Sequence, residues 1–265
     1  MHRPGRLEIV MAALEDHQLA AQLAADAGAL LTSIRREGEA AGTDPKETGQ
    51  RGDRESNRLI IDTLAVRRPG DAVLSEEAVD DDRRRGAPRV WIVDPLDGTR
   101  EFTMPGRNDW AVHVALWEQG AGITSAAVAL PSIPEVWSTA RPMALAPSPG
   151  DGGPIRVLVS DTRPPAWLPR LAEILNLNVI RMGSAGAKTA AVLRGEADAY
   201  LHDGGQYEWD SAAPVGVATA AGLHASRLDG TILQYNQPYP YLPDLVVCRP
   251  HLAGELLSAL RRVSQ

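Results

Sequence analysis

The apolar run Val90-Trp91-Ile92-Val93 leads straight into Asp94-Pro95-Leu96-Asp97-Gly98-Thr99, and no other stretch of the chain limits the fold as strongly. Consecutive large apolar residues bounded by turn formers read as a buried strand. Pro95 removes a backbone donor and fixes φ, while Gly98 admits conformations closed to other residues. The chain is therefore expected to turn sharply where the strand ends, holding Asp94 and Asp97 near one point. Two carboxylates that close repel each other, and one takes up a proton unless a cation sits between them. A divalent metal removes the conflict, and hard oxygen ligands of this kind suit Mg²⁺. An ordinary Asp-rich turn, with each Asp bonded to nearby backbone, accounts for the motif equally well at this point.

The remainder of the chain bounds the alternatives. With 265 residues, 44% of them hydrophobic, it can build one large domain or two modest ones. No apolar run approaches the roughly 18 residues of a membrane span, and the start MHRPGRLEIV lacks a signal-peptide core. One cysteine, Cys248, excludes an internal disulfide and suits a reducing cytosol. A net charge of −7 and a pI near 5.4 argue against nucleic-acid polymers as partners. A soluble cytoplasmic protein is the expectation.

Helical spacing is read over Met11–Arg35 and again over Asp53–Leu64, with polar, Gly-containing Arg36–Arg51 as a mobile loop between them. Asp80–Arg85 reads as a solvated block of charge. Ala72–Leu74 is a short apolar stretch, and strands are expected at Val90–Val93, Asp109–Trp117, Ile123–Leu130 and Val136–Thr139, with Trp91, Trp110 and Trp117 in the core and His113 as a plain strand residue. Arg141–Pro154 holds four Pro and three Gly, as an interdomain linker or the tip of a long hairpin. Beyond it strands and helices alternate: Ile155–Val159, Ala166–Leu175, Val179–Met182, Lys188–Arg194, Ala199–Leu201, Ser211–Ala221, Leu245–Cys248 and Leu252–Val263. A strand-rich first half and an alternating second half make a two-domain, layered α/β architecture.

Alone, Ser75-Glu76-Glu77 reads as a solvated face, Asp210 as a helix-start acid and Asp53 as a first-turn acid. Taken in order, Asp53, Ser75-Glu76-Glu77, Asp94-Pro95-Leu96-Asp97-Gly98-Thr99 and Trp209-Asp210-Ser211-Ala212-Ala213 resemble the signature of the inositol monophosphatase superfamily, which consists of Mg²⁺-dependent, often lithium-inhibited phosphomonoesterases. The likeness runs from about residue 10 to the C-terminus. Within it, Thr99-Arg100-Glu101-Phe102 looks like the basic-Glu-Phe form of the CysQ-type 3′-phosphoadenosine 5′-phosphate phosphatases. The resemblance implies a layered αβαβα sandwich of the inositol monophosphatase and fructose-1,6-bisphosphatase type. Residues 1–150 would form an α+β part carrying most metal ligands, and 151–265 an α/β part closing the site and contributing substrate contacts. It implies that Glu76, Asp94 and the Leu96 carbonyl bind one metal and that Asp94, Asp97 and Asp210 bind a second, with a weaker third ion near Glu76. Thr99 and Asp53 would orient and deprotonate the attacking water. The chain departs from the family's Thr-x-Ala-Asp, reading Gln50-Arg51-Gly52-Asp53. Gly98 and Thr99 would open a short helix whose free N–H groups receive phosphate oxygens.

Gly183-Ser184-Ala185-Gly186-Ala187-Lys188-Thr189 is not a P-loop, because Ala187 stands where that motif needs Gly. In CysQ-type sequences the position of Lys188 carries Lys, a point charge for a second phosphate, where sugar phosphatases carry an acid or amide. Its plain alternative is a solvated lysine in a helix's first turn. Arg100, Ser184, Asp210, His202 and Tyr207 are further candidates for substrate contact, although CysQ-type sequences more often have Arg near His202. The function expected from the resemblance is Mg²⁺-dependent hydrolysis of the 3′-phosphate of 3′-phosphoadenosine 5′-phosphate to AMP, with action on the 5′-phosphosulfate analogue and a link to sulfate assimilation. Two or three Mg²⁺ per site, a small phosphate-ester substrate and no membrane partner go with it, and a homodimer is compatible. The rivals are an inositol-1-phosphate or fructose-1,6-bisphosphate phosphatase and a non-catalytic nucleotide or metal sensor. Asp53, Glu76, Glu77, Asp94, Asp97 and Asp210 account for six of the seven excess negative charges.

Overall fold

Alternation along one strand sets the layering. In the structure, a computed structural model describing residues 6–147 and 153–263 with side chains from residue 14, β2 spans Arg89–Asp97. Its Trp91 and Val93 point to one face and Val90 and Ile92 to the other, so β2 is buried on both sides. It lies second in a sheet ordered β1 (Ala72–Ser75), β2, β3 (Ala111–Glu118), β4 (Gly122–Leu130) and β5 (Glu135–Ser138). Only the β1–β2 pair is parallel.

Two helices, α1 (Arg6–Ala41) and α2 (Pro45–Arg67), cover the Trp91 face, where Leu23, Leu31, Ile34, Ile60 and Leu64 pack on Val112, Val114 and Leu116. The expected loop over Arg36–Arg51 is instead the end of one helix and the start of the next. Asp44 caps α2, its carboxylate accepting from the N–H groups of Lys46 and Glu47, and Pro45 sits in the first turn. Gly38, within that stretch, packs closely against Thr48, and Gly52, beyond it, against Leu31, Leu96 and Phe102.

The second sheet is ordered β7 (Leu177–Met182), β6 (Ile155–Ser160), β8 (Ala199–Tyr207), β10 (Tyr241–Cys248) and β9 (His224–Ser226). Between the sheets lie α5 (Ala185–Leu193) and α6 (Glu208–Ala220), packed on Ile92, Ala111, Ala115 and Ala126 of the first sheet and on Leu158, Tyr200, Leu245 and Val247 of the second. α4 (Leu168–Ile174) and α7 (Ala253–Val263) cover the outer face of the second sheet over Val157, Val159, Leu201 and Val246. The expected αβαβα sandwich is thus the observed one. Trp91 and Trp110 are buried, while Trp117 is half-buried. Of the Pro/Gly-rich stretch Arg141–Pro154, residues 148–152 lie outside the described residues. Among the described residues no helix is long and apolar enough to cross a membrane.

Because the Asp44 carboxylate satisfies two otherwise free donors of α2, Asp44→Ala is expected to cost about 1 kcal/mol, with Asp44→Asn close to neutral. Urea midpoints of the two variants check this; equal midpoints would return the 42–44 turn to an unstructured connection.

Candidate active site

Residues three apart on a regular strand face opposite sides of the sheet. Asp94 and Asp97 share a side because β2 carries an extra residue: Asp94 pairs with His113 and Asp97 with Ala111, so three steps on β2 match two on β3. The strand does not end at Val93, as the apolar run suggested; it continues to Asp97 through this bulge. Asp94 lies on the Val90 and Ile92 face and therefore points into the layer of α5 and α6. Gly98 then turns the chain at φ +88° and opens the five-residue α3 (Thr99–Thr103).

The starts of α5 and α6 converge on these two aspartates. Ser184 caps α5, accepting from Ala187 N, and its hydroxyl donates to Asp97 Oδ2 at 2.5 Å; Gly186 N donates to the same oxygen at 2.9 Å. A Cβ on Gly186 would overlap the His113 ring, so only glycine permits that approach. Asp210 lies in the first turn of α6, where it accepts from Tyr207 N. Carboxylate oxygens of Asp94, Asp97 and Asp210 all lie within 4.8 Å of one another.

Their protonation follows from their neighbours. Burial pushes the Asp97 carboxyl up, but His113, Lys188 and the Ser184 hydroxyl outweigh it and hold the group at about 2. Burial raises Asp94 well above the carboxylate range, helped by the charges of Glu76, Asp97 and Asp210. Burial and Asp97 push Asp210 up to about 7. Glu76 follows β1 as an exposed residue; desolvation of its carboxyl group, then the charges of Asp210, Asp97 and Glu77, push it up to about 8. Among the described residues no Arg or Lys pairs with Asp94, Asp97 or Asp210; the nearest basic group is His113, with Nε2 3.2 Å from Asp97 Oδ2. A crowded, all-oxygen set of this kind, with only Asp97 held ionised by its neighbours, fits a divalent cation such as Mg²⁺.

Beside it, Thr99 Oγ1 lies 3.3 Å from Asp53 Oδ1 and 3.2 Å from the Leu96 carbonyl oxygen. Asp53 stands in the third turn of α2, not the first, and burial followed by the charge of Glu77 pushes it up to about 6. A cavity of about 240 Å³ opens from this point, lined by Asp97, Gly98, Thr99, Arg100, Ser184, Lys188 and Asp210 among others. Lys188 is not a solvated first-turn lysine. It is 4% exposed, lies over the Tyr200 ring, and donates to the carbonyls of Met182, Gly183 and Ser184; burial lowers its ammonium to about 8.

Two features escaped the sequence reading. His113, taken as a plain strand residue, is fully buried with Nδ1 3.2 Å from the Trp209 carbonyl, so that nitrogen is the donor and the ring is fixed beside Asp97. A polar residue in an otherwise apolar strand was its signal. Arg84, in the expected solvated block, is buried: it donates to Asp80, to Asn236 Oδ1 at 2.7 Å and to the Gln237 carbonyl. Asn236 N and Gln237 N in turn donate to Glu208, two residues before Asp210. This latch ties the segment following Glu76 to the start of α6.

A family model described as the inositol monophosphatase family matches residues 14–143 and 155–265. A "3′-phosphoadenosine 5′-phosphate phosphatase" of Mycobacterium leprae is 53% identical over 264 residues, covering 96% of each chain. A "3′(2′),5′-bisphosphate nucleotidase CysQ" of Escherichia coli is 30% identical over 196 residues, covering 71% of this chain and 79% of that protein. The solved structure of Mycobacterium tuberculosis SuhB superposes with a TM-score of 0.71 at 27% identity, covering 93% of this chain and 96% of that one.

Crowded carboxyls make a stability prediction for the metal-free protein. Glu76 and Asp210 keep protons in the fold up to about 8 and about 7, but ionise near about pH 4 when unfolded. The folded state binds more protons between these limits, so the stability present at acid pH is lost as pH rises through the folded values. Denaturant midpoints in chelator should fall between about pH 5.5 and about pH 8, and excess Mg²⁺ should remove the fall. A flat profile in chelator would contradict the crowding.

Proposed function

The chain belongs to the inositol monophosphatase family, and from that premise we propose that it is a Mg²⁺-dependent phosphomonoesterase removing the 3′-phosphate of 3′-phosphoadenosine 5′-phosphate to give AMP and phosphate. One observation carries the reading: the cavity that Asp97 and Asp210 of the carboxylate cluster help to line also carries three basic side chains, Lys188, Arg163 and Arg100. A bisphosphate ester brings a second anionic group for these cations. An inositol monophosphate has no second phosphate for them.

In this reading the first 150 residues carry Glu76, Asp94, the Leu96 carbonyl and Asp97 as metal ligands, and the remainder supplies Asp210 and the cavity wall. Bound there, Mg²⁺ would neutralise the carboxylates, acidify a water and stabilise charge on the phosphate and the leaving oxygen. Asp53, ionised above about pH 6, accepts the Thr99 hydroxyl proton, and Thr99 accepts one from the water whose oxygen attacks phosphorus. The P–O3′ bond breaks in line with that attack; the leaving 3′-oxygen takes a proton from solvent, and Asp53 returns to solvent the one it accepted. Ser184 holds Asp97 in place rather than reaching substrate directly. Gly98 and Thr99 face the transferred phosphate across the turn into α3. A cytoplasmic location, in keeping with a single buried thiol, and homodimerisation belong to the same reading.

Phosphate release from 3′-phosphoadenosine 5′-phosphate, inositol-1-phosphate and fructose-1,6-bisphosphate, measured side by side with Mg²⁺, tests the assignment. The nucleotide is expected to be turned over with the highest kcat/KM; faster turnover of either sugar phosphate would sink it. Asp94→Asn should lower kcat with every substrate by about a hundredfold or more while the protein stays folded. Retained activity would refute the carboxylate assignment.

A further inference from the structure

Resting on the bisphosphate reading, the question is which group meets the phosphate that is not cleaved. Three cations line the cavity, and their donors are not equally free. Arg100 lies 3.4 Å from Asp161 and 3.7 Å from Glu101. Lys188 has three N–H donors, and three backbone carbonyls take them, so its charge reaches the cavity but its hydrogen bonds do not. Arg163, on the connection from β6 to α4, is held at its backbone, where its N–H donates to Ser160 Oγ at 3.1 Å. Among the described residues its guanidinium has neither an ion pair nor a hydrogen bond.

Its position is set by a glycine. The Arg163 guanidinium lies over Gly205 in β8, where a Cβ would overlap it, 3.0 Å from Cζ. On the same strand, His202 and Gln206 also line the cavity, 3% and 5% exposed, and each carries a buried polar atom without a partner, His202 Nε2 and Gln206 Oε1. Buried polar atoms are nearly always satisfied, and those left open beside an unpaired cation mark a place where a ligand completes the bonding. Burial, with Lys188 and Arg163 nearby, holds the His202 ring down to about 4, so it brings no charge of its own at neutral pH. The nearby carboxylates are occupied: Asp203 accepts from Trp167, Asp244 pairs with Arg227, and Asp161 lies toward Arg100 and Arg107.

We propose that Arg163 is the residue that selects for a second phosphate, its planar guanidinium donating to two oxygens of the non-scissile group while His202 and Gln206 line the same subsite. A guanidinium fork matches phosphate geometry better than an ammonium and adds direction to the field that Lys188 supplies.

The test compares adenosine 3′,5′-bisphosphate with adenosine 3′-monophosphate, which lacks only the second phosphate, in the Mg²⁺-loaded enzyme. The wild-type protein is expected to favour the bisphosphate by tenfold or more in kcat/KM. Arg163→Ala should lower kcat/KM for the bisphosphate about tenfold or more, chiefly through KM, and leave the monophosphate within twofold; Arg163→Lys should recover only part. Unchanged thermal unfolding of both variants keeps the comparison about binding. If the wild type prefers the bisphosphate and Arg163→Ala keeps that preference, or lowers both substrates alike, the role of Arg163 is overturned and the reading of the enzyme stands. A wild type indifferent to the second phosphate overturns both.

Discussion

Repulsion among three crowded carboxylates, two buried and one half-buried, organises the middle of this molecule. Two unit charges about 4 Å apart repel by about 4 kcal/mol at an effective dielectric constant of roughly 20. A helix N-terminus returns only about 1–2 kcal/mol in a buried setting. One helix can therefore keep one carboxylate ionised, but not three. Asp97, at the end of β2, accepting from the N-terminal turn of α5 and beside His113, is the one that stays charged. Asp94 and Asp210 hold protons until something with more positive charge than a helix end arrives. The cluster suits a divalent ion because the fold alone leaves the electrostatics unresolved.

Bringing two helix starts that close to one strand demands thin helices. α5 and α6 are built largely of small residues, Ala185, Gly186, Ala187, Ala190 and Ala191 in one and Ser211, Ala212, Ala213 and Gly216 in the other. A Cβ on Gly216 would sit 2.5 Å from the Ala126 side chain. Larger residues would push the middle layer off the first sheet and carry Ser184 and Asp210 away from Asp97. The apolar core and the polar site are thus one packing problem: the same close approach buries the alanines and converges the acids.

Much of this was legible in the residues. The Pro and Gly around Asp94 and Asp97 announced a special backbone, and the order of the four acidic segments announced their convergence and the layered fold. The route to that convergence was not legible. A bulge is a mismatch of register with β3, and a strand's own residues do not display the register of its neighbour. The Gly-containing stretch Arg36–Arg51 reads as a loop because glycine at a flexible turn and glycine beneath another side chain, as at Gly38, are spelled alike. In the run Asp80–Arg85, one of three adjacent arginines is buried, and what selects Arg84 is Asn236, about 150 residues further along. His113 was passed over because its function depends on what lies opposite it across β2.

The latch between Arg84, Asn236 and Glu208 also bears on the order in which the molecule is completed. It closes a loop of more than half the chain, so its bonds reward the folding protein only after nearly all of it is available. Before then Glu76, Asp94 and Asp97 exist on a nascent first half, without Asp210 and without the α5 turn that steadies Asp97. An unfinished chain therefore offers scattered acids and not a metal site. Late closure makes the acidic cluster a property of the finished protein, and it ties the cluster's assembly to the arrival of the last third of the sequence.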